Sequence, residues 1–365
     1  MSDSAGGGVP MEELQLATRN HGMPLEALRY PVTPVGLHYL LIHYDIPAID
    51  PSAWRLRVDG CVERPLELSL AELRAMPATT RVATMECAGN GRALLDPRPA
   101  SQPWLVEAVG TGEWTGVALD HVLAAAGLDG DAVEVLFTGA DRGVEGGIEQ
   151  AYQRSLPVEV ATSADVLLAY ELNGAALPPQ HGFPLRVVVP GWYGMTNVKW
   201  LTTITAVGEP FAGYQQATAY RLRRAEDEVG EPVERMVPRS LMVPPGIPDF
   251  YTRARTLGPG DCELTGRAWS GTSPIVAVEV SADGGASWDT AEVDPEPPAV
   301  GAWQGWRFRW HAVPGDHELC CRATDATGAR QPLQPEWNTG GYANNAVQRV
   351  AVHVTDAAQS SGPRL

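Results

Sequence analysis

One cysteine in this chain stands where a thiolate could hold a metal. Cys87 ends the apolar, strand-like run Arg81-Val82-Ala83-Thr84-Met85-Glu86 and is followed at once by Ala88-Gly89-Asn90-Gly91-Arg92. Thiolate is a soft donor, suited to a soft or high-valent metal centre. The two glycines let backbone approach a bulky group closely. Arg92 offers a fixed guanidinium for an oxyanion. A structural cysteine before a turn needs none of this company.

A second chemical cluster is His181-Gly182-Phe183-Pro184-Leu185-Arg186-Val187-Val188-Val189, followed by Asn197-Val198-Lys199-Trp200. An arginine inside a valine-rich buried strand is costly unless it is paired. A buried anion, gripped by Arg186 as a fork and by Lys199 as a mobile point charge, accounts for both residues. The alternative is a structural salt bridge to one of the 44 acids. His43, at the end of Thr33-Pro34-Val35-Gly36-Leu37-His38-Tyr39-Leu40-Leu41-Ile42-His43, is by itself as readily a packed histidine as a ligand. Trp104, Asp141, Tyr152, Tyr220 and Arg349 carry no signal on composition alone. Signatures of other chemistry are missing: the sequence has no G-x-x-x-x-G-K-[ST], no G-x-S-x-G and no C-x-x-C.

These residues need a scaffold, and 365 residues suffice for two domains with substantial cores. The formal charge of −17 argues against nucleic acid and against an anionic membrane surface. No run approaches the ~18–20 apolar residues of a membrane span. Five cysteines give no disulfide framework. Cys320 and Cys321 are adjacent in a strand-like run, so they point to opposite faces and do not pair. A reducing compartment follows. Met1 to Pro10 lack the basic and apolar regions of a secretory signal, so the expected location is cytoplasmic, or periplasmic if a leader has been removed.

Residues 1–30 read as a loose arm. Leu37 to Ile46 reads as a strand, and Ala53 to Gly60 alternates with period two into a turn. Leu70 to Met76 predicts a helix capped by Ser69 and Glu72 and stopped by Pro77. Val117 to Gly127 predicts another, closed by its glycine. Val133 to Phe137 and Leu185 to Val189 read as strands. Strands interspersed with short helices make residues 31–221 an α+β domain. The charge run and prolines of residues 222–250 read as an ordered linker crossing a surface. From residue 251 to 356, short alternating strands and turns such as Asp283-Gly284-Gly285 predict an all-β, immunoglobulin-like sandwich, with a tail at 357–365.

The octapeptide Met85 to Arg92 resembles the cysteine motif of the sulfite oxidase family of molybdenum-cofactor enzymes. Gly266-Arg267-Ala268-Trp269-Ser270-Gly271, Val278 to Gly285, Trp288 and Trp337-Asn338 resemble that family's C-terminal dimerisation domain. The resemblance spans roughly residues 33–355. It implies a sulfite-oxidase-type molybdopterin domain followed by the sandwich, and Mo-molybdopterin as cofactor. It implies that Cys87 ligates molybdenum, that Arg92 faces the substrate, and that Trp104 walls the pocket. Tyr220 would serve the metal's oxo group or a proton, and Arg349 would reach in from the sandwich. The cofactor would be held by Tyr39, His43, Asp141, His181, Arg186, Asn197, Val198 and Lys199. Tyr152 is a further site candidate. Two departures stand out: Gly91 replaces a second arginine, and Leu41-Ile42 replace an arginine and an asparagine. The implied activity is oxidation of sulfite by oxygen-atom transfer. No haem, flavin or nicotinamide motif is seen, so electrons would pass to an external acceptor protein, and the chain would form a homodimer. Another oxyanion, an S- or N-oxide, or a non-catalytic molybdopterin-binding role stay open.

Overall fold

The computed structural model describes residues 9–295 and 301–356. Its first domain holds two sheets. One runs in the spatial order Leu66–Leu68, Leu56–Gly60, Leu201–Val207, Glu134–Glu145, Ile148–Pro157. Leu56–Gly60 lies parallel to Leu201–Val207, so the first and last strands of the domain close on each other. The other sheet joins Ala78–Glu86, Val109–Ala118, Leu167–Leu172 and Ala175–Ala176, with Arg186–Val188 also paired to Leu167–Leu172. Ala78–Glu86 thus delivers Cys87, and Arg186–Val188 delivers Arg186, from one sheet.

The predicted helices form where their caps lie. Leu70–Ala75 opens on the reciprocal Ser69–Glu72 capping box. Leu119–Ala126 buries Leu119, Val122, Leu123 and Ala126 on one face and ends at Gly127 with φ of 70°. Among the described residues helices are few and short, so the domain is mostly β.

Three expectations are corrected. Leu37 to Ile46 is not a strand: Val35–Leu37 forms a 3-10 turn, and a lone bridge joins His21 to Leu40. Side chains satisfy its backbone instead of a ladder. Ile42 N donates to Asn20 Oδ1 at 2.7 Å, and Leu41 O accepts from Lys199 Nζ at 2.6 Å.

Residues 9–30 are not loose, while residues 1–8 lie outside the described residues. The segment opens with the helix Met11–Arg19. Met23, Ala27 and Leu28 are buried in the main core. Glu13 is buried and accepts from Arg98 Nη1 at 2.6 Å and from Ser101 N at 2.9 Å.

Residues 222–250 are more than a surface linker. Arg239–Met242 is the edge strand of a sandwich sheet, paired with Gly260–Trp269. Met236, Leu241 and Met242 are buried. The prolines mark bends, but the apolar residues between them seal the sandwich against the first domain.

The second domain stacks a four-stranded sheet (Arg239–Met242, Gly260–Trp269, Gln304–Ala312, Glu292–Val293) on a six-stranded one. The latter runs Ile247–Pro248, Arg255–Leu257, Gln348–Val354, Gly315–Asp325, Ile275–Ser281, Asp289–Thr290. Leu264, Val278, Trp306, Leu319 and Val352 form a separate core between them. All five cysteines are free thiols, Cys320 and Cys321 included. The 357–365 tail lies outside the described residues.

Candidate active site

The strand Ala78–Glu86 becomes buried only in its last four residues, and the chain then turns sharply. Asn90 N donates to Cys87 O at 2.9 Å and Arg92 N to Gly89 O at 3.0 Å. Asn90 pins this loop in two directions, giving Nδ2–H to Glu86 Oε1 and accepting from Ala108 N. Gly91 has φ of 91°, and a Cβ there would lie 2.9 Å from Asn344 Nδ2. Neither the conformation nor the room suits a side chain, so the family's second arginine has no place in this loop.

The sandwich closes over the loop. Ala343 N donates to Ala88 O at 2.8 Å, and Asn344 Nδ2 to Gly91 O at 2.7 Å. Arg92 Nε donates to Gly340 O at 2.8 Å and Nη1 to Gln102 O at 3.2 Å, with the Tyr342 ring over the guanidinium. A Cβ on Gly341 would sit 2.6 Å from Arg92 Cγ. Arg92 is therefore held rigidly by carbonyls and has no carboxylate partner among the described residues.

Cys87 stands at the junction of two cavities. The first, of about 60 Å³, carries Arg186, Lys199, His38, His181 and Asp141 on its walls. Arg186 donates to the carbonyls of His181 and Asn197 and to Met85 Sδ. Lys199 donates to those of Leu41 and Gln180. Among the described residues neither cation has an acid within salt-bridge distance, so the structural salt bridge weighed from sequence is absent. Arg186 Nε, His38 Nε2 and Asp141 Oδ1 are buried without partners. Burial lowers Arg186 to about 10. Burial, then the charge of Arg186, lowers Lys199 to about 7. Two desolvated cations and unsatisfied donors facing one cavity fit an absent anionic group.

Burial also holds the neighbouring imidazoles neutral, with His38 lowered to about 4, His43 to about 3 and His181 to about 2. Asp141 rises to about 6 through burial, opposed by Lys199. The Cys87 thiol is likewise raised by burial, with Arg92 opposing.

Cys87 also lines a second cavity, of about 270 Å³. Arg92, Trp104, Tyr220, Tyr342, Leu41 and Ile42 line it. Tyr220 follows a π-helical turn, Gln215–Ala219, which swings its ring inward. Its hydroxyl is hydrogen-bonded to His43 Nε2 at 2.7 Å. Burial raises the Tyr220 hydroxyl well above its ordinary value.

Most residues singled out in the sequence converge here. Tyr39, His43, Asp141, Tyr152, His181 and Asn197 all face the first cavity. Val198 packs in the main core instead. Arg349 is a correction: it lines neither cavity. It lies on the outer face of Gln348–Val354, bonded to Glu318 and to Gly284 O. The strand's alternation, with Gln348 and Val350 buried and Arg349 exposed, is the signal that would have placed it outward. Sequence reasoning missed Tyr342, Gln102, Tyr44 and Glu145, which also line the second cavity.

Residues 43–215 match the model of the oxidoreductase molybdopterin binding domain, and residues 249–355 that of the Mo-co oxidoreductase dimerisation domain. The chain is 36% identical over 336 residues to sulfite oxidase of Gallus gallus, covering 87% of this chain and 72% of that protein. It is 33% identical over 345 residues to mitochondrial sulfite oxidase of Rattus norvegicus, where it spans 88% of this chain and only 62% of the relative. Over 351 residues it is 33% identical to a nitrate reductase [NAD(P)H] of Hordeum vulgare, covering 88% of this chain and 39% of that one. The crystal structure of the sulfane dehydrogenase SoxCD from Paracoccus pantotrophus superposes with a TM-score of 0.79 at 26% identity, covering 98% and 95% of the two chains.

Fold, cavities and matches together define an oxidoreductase that carries Mo-molybdopterin. The chain belongs to the sulfite oxidase family of molybdopterin enzymes.

Proposed function

We propose that this protein oxidises a sulfur oxyanion, sulfite being the simplest, by oxygen-atom transfer. The observation that carries this is the place of Cys87, between a cavity of unpaired cations and a cavity whose anion contact is Arg92. When bound, the cofactor supplies a two-electron metal centre that exchanges oxygen with the substrate.

Arg186 and Lys199 hold the cofactor's phosphate, and Cys87 presents its sulfur to the metal. Tyr39, His43, Asp141, His181 and Asn197 line the remainder of the cofactor's cavity. Arg92, braced on Gly340 and Gln102, orients the oxyanion. Trp104 and Tyr342 exclude water, which strengthens that contact. The Tyr220–His43 hydrogen bond would hold a proton in the cavity that both residues share with Cys87. Electrons leave to a separate acceptor protein, and the sandwich pairs two chains as a homodimer. No helix among the described residues is long and apolar enough to cross a membrane.

Metal analysis of protein produced with an intact cofactor pathway tests the reading. About one molybdenum per chain, with its absorption bleached by sulfur oxyanions, is the expected result. Metal-free protein with Cys87 and Arg186 intact refutes it. A second reading, another oxyanion or an S- or N-oxide, is favoured by one feature only: Leu41 and Ile42 stand where the family places polar residues.

A further inference from the structure

The substrate cavity is nearly neutral in charge. Among its lining residues Arg92 is the one cation, since His43 is held neutral by burial. The same lining carries one carboxylate, Glu145, at the end of the strand Glu134–Glu145. Glu145 Oε2 accepts from Tyr44 Oη at 3.2 Å and from Gln215 Nε2 at 2.6 Å, so it is fixed on the wall. Arg92 and Glu145 form no ion pair with each other. Beside the polar Ser101 and Gln102, the lining includes an apolar set: Leu16 from the helix Met11–Arg19, Leu41, Ile42 and the exposed Val144.

A doubly charged oxyanion meets one guanidinium here and is repelled by one carboxylate. A singly charged one that carries an apolar substituent is matched on both sides. Its anionic end meets Arg92 through a charge-assisted contact, and its substituent covers the half-buried Leu16 and Leu41 and the exposed Val144. We infer that the preferred substrate is an organosulfinate, oxidised to the sulfonate. This rests on the oxygen-transfer reading above and narrows its substrate. The reaction balances as sulfinate plus water giving sulfonate, two protons and two electrons. One sulfur–oxygen bond forms, sulfur is oxidised, and the electrons reduce two ferricyanide ions in the assay. Nitrate shares the single charge but brings no substituent to the apolar wall.

The test uses the molybdenum-loaded enzyme with benzenesulfinate, sulfite and nitrate. Benzenesulfinate is expected to exceed sulfite in kcat/KM by at least about tenfold, the scale of one charge-assisted contact. Calorimetry should show benzenesulfonate binding more tightly than sulfate. Leu41→Arg should reverse the preference. Should that variant misfold, Glu145→Gln supplies the second arm and should raise sulfite turnover selectively. Wild-type preference for sulfite overturns the inference and leaves the oxygen-transfer reading standing. Bound molybdenum that no sulfur oxyanion reduces, or that serves nitrate reduction with a reduced dye in preference to any sulfur oxyanion, overturns both the inference and the oxygen-transfer reading.

Discussion

Glu86 Oε1 and Arg239 Nε stand 2.8 Å apart, with side chains only 1% and 2% exposed. Glu86 precedes the cysteine, and Arg239 belongs to the edge strand of the sandwich. Trp269 Nε1 also donates to Glu86 Oε2, at 2.8 Å, and Arg239 reaches the carbonyl of Asn344. The thiol is thus positioned from both domains. Removing one partner of a buried pair strands the other charge and costs about 3–5 kcal/mol. Arg239→Met should lower unfolding stability on that scale, read from urea midpoints. A loss below about 1 kcal/mol, typical of an exposed pair, would deny the pair this role.

Cys87→Ser should abolish turnover and leave the fold intact, because an alcohol is a harder and weaker donor than a thiolate toward this metal. Circular dichroism checks the fold, and turnover per chain checks the role. Residual activity in pure variant protein removes Cys87 from the metal.

Neutralising Arg186 or Lys199 should reduce molybdopterin content more than turnover per bound molybdenum. Both cations line the first cavity, and neither lines the second. Cofactor released by denaturation can be quantified against protein. Full occupancy in both variants contradicts the assignment.

In cofactor-free protein the Lys199 ammonium titrates near 7, held down by burial and by Arg186. The unfolded chain keeps that proton to ~10.4. Between those values the unfolded state binds more protons at this group, so the lysine's contribution to stability should rise with pH from about 7 to about 10, opposed above ~8.5 by the buried thiols of Cys87, Cys320 and Cys321, which burial raises. Asp141 and the buried histidines titrate at about 6 and below and act outside this window. Lys199→Met should flatten the rise in thermal midpoint between pH 7 and pH 9. An unchanged slope would place the lysine in a wetter setting.

What could be read from sequence was local. Cys87 at a strand end between glycines, and Arg186 amid valines, are anomalies visible within ten residues. The capping box and the closing glycine of the helices are equally local. What stayed hidden needed contacts across the chain. Gly340 and Tyr342 meet Arg92 from nearly the other end of the sequence, and nothing in Gly340-Gly341 distinguishes it from an ordinary turn. Glu145 gains meaning only because Tyr44 and Gln215 fix it beside the cavity. The buried arm 9–30 hid behind its glycine-rich start, since Met23 and Leu28 show no helical or strand period. For Arg349 the family resemblance and the alternation of its own strand disagree, and the alternation, with Gln348 and Val350 buried, points it outward.

The loop from Asn338 to Asn344 is the sandwich's floor over the cysteine turn, touching Ala88, Gly91 and Arg92. The two domains therefore cannot be inherited or exchanged as independent cassettes. A chimera that joins this first domain to a foreign sandwich would lose the braces on Arg92 even if both halves folded. Divergence in substrate choice can arise from changes in the second domain that touch no cofactor.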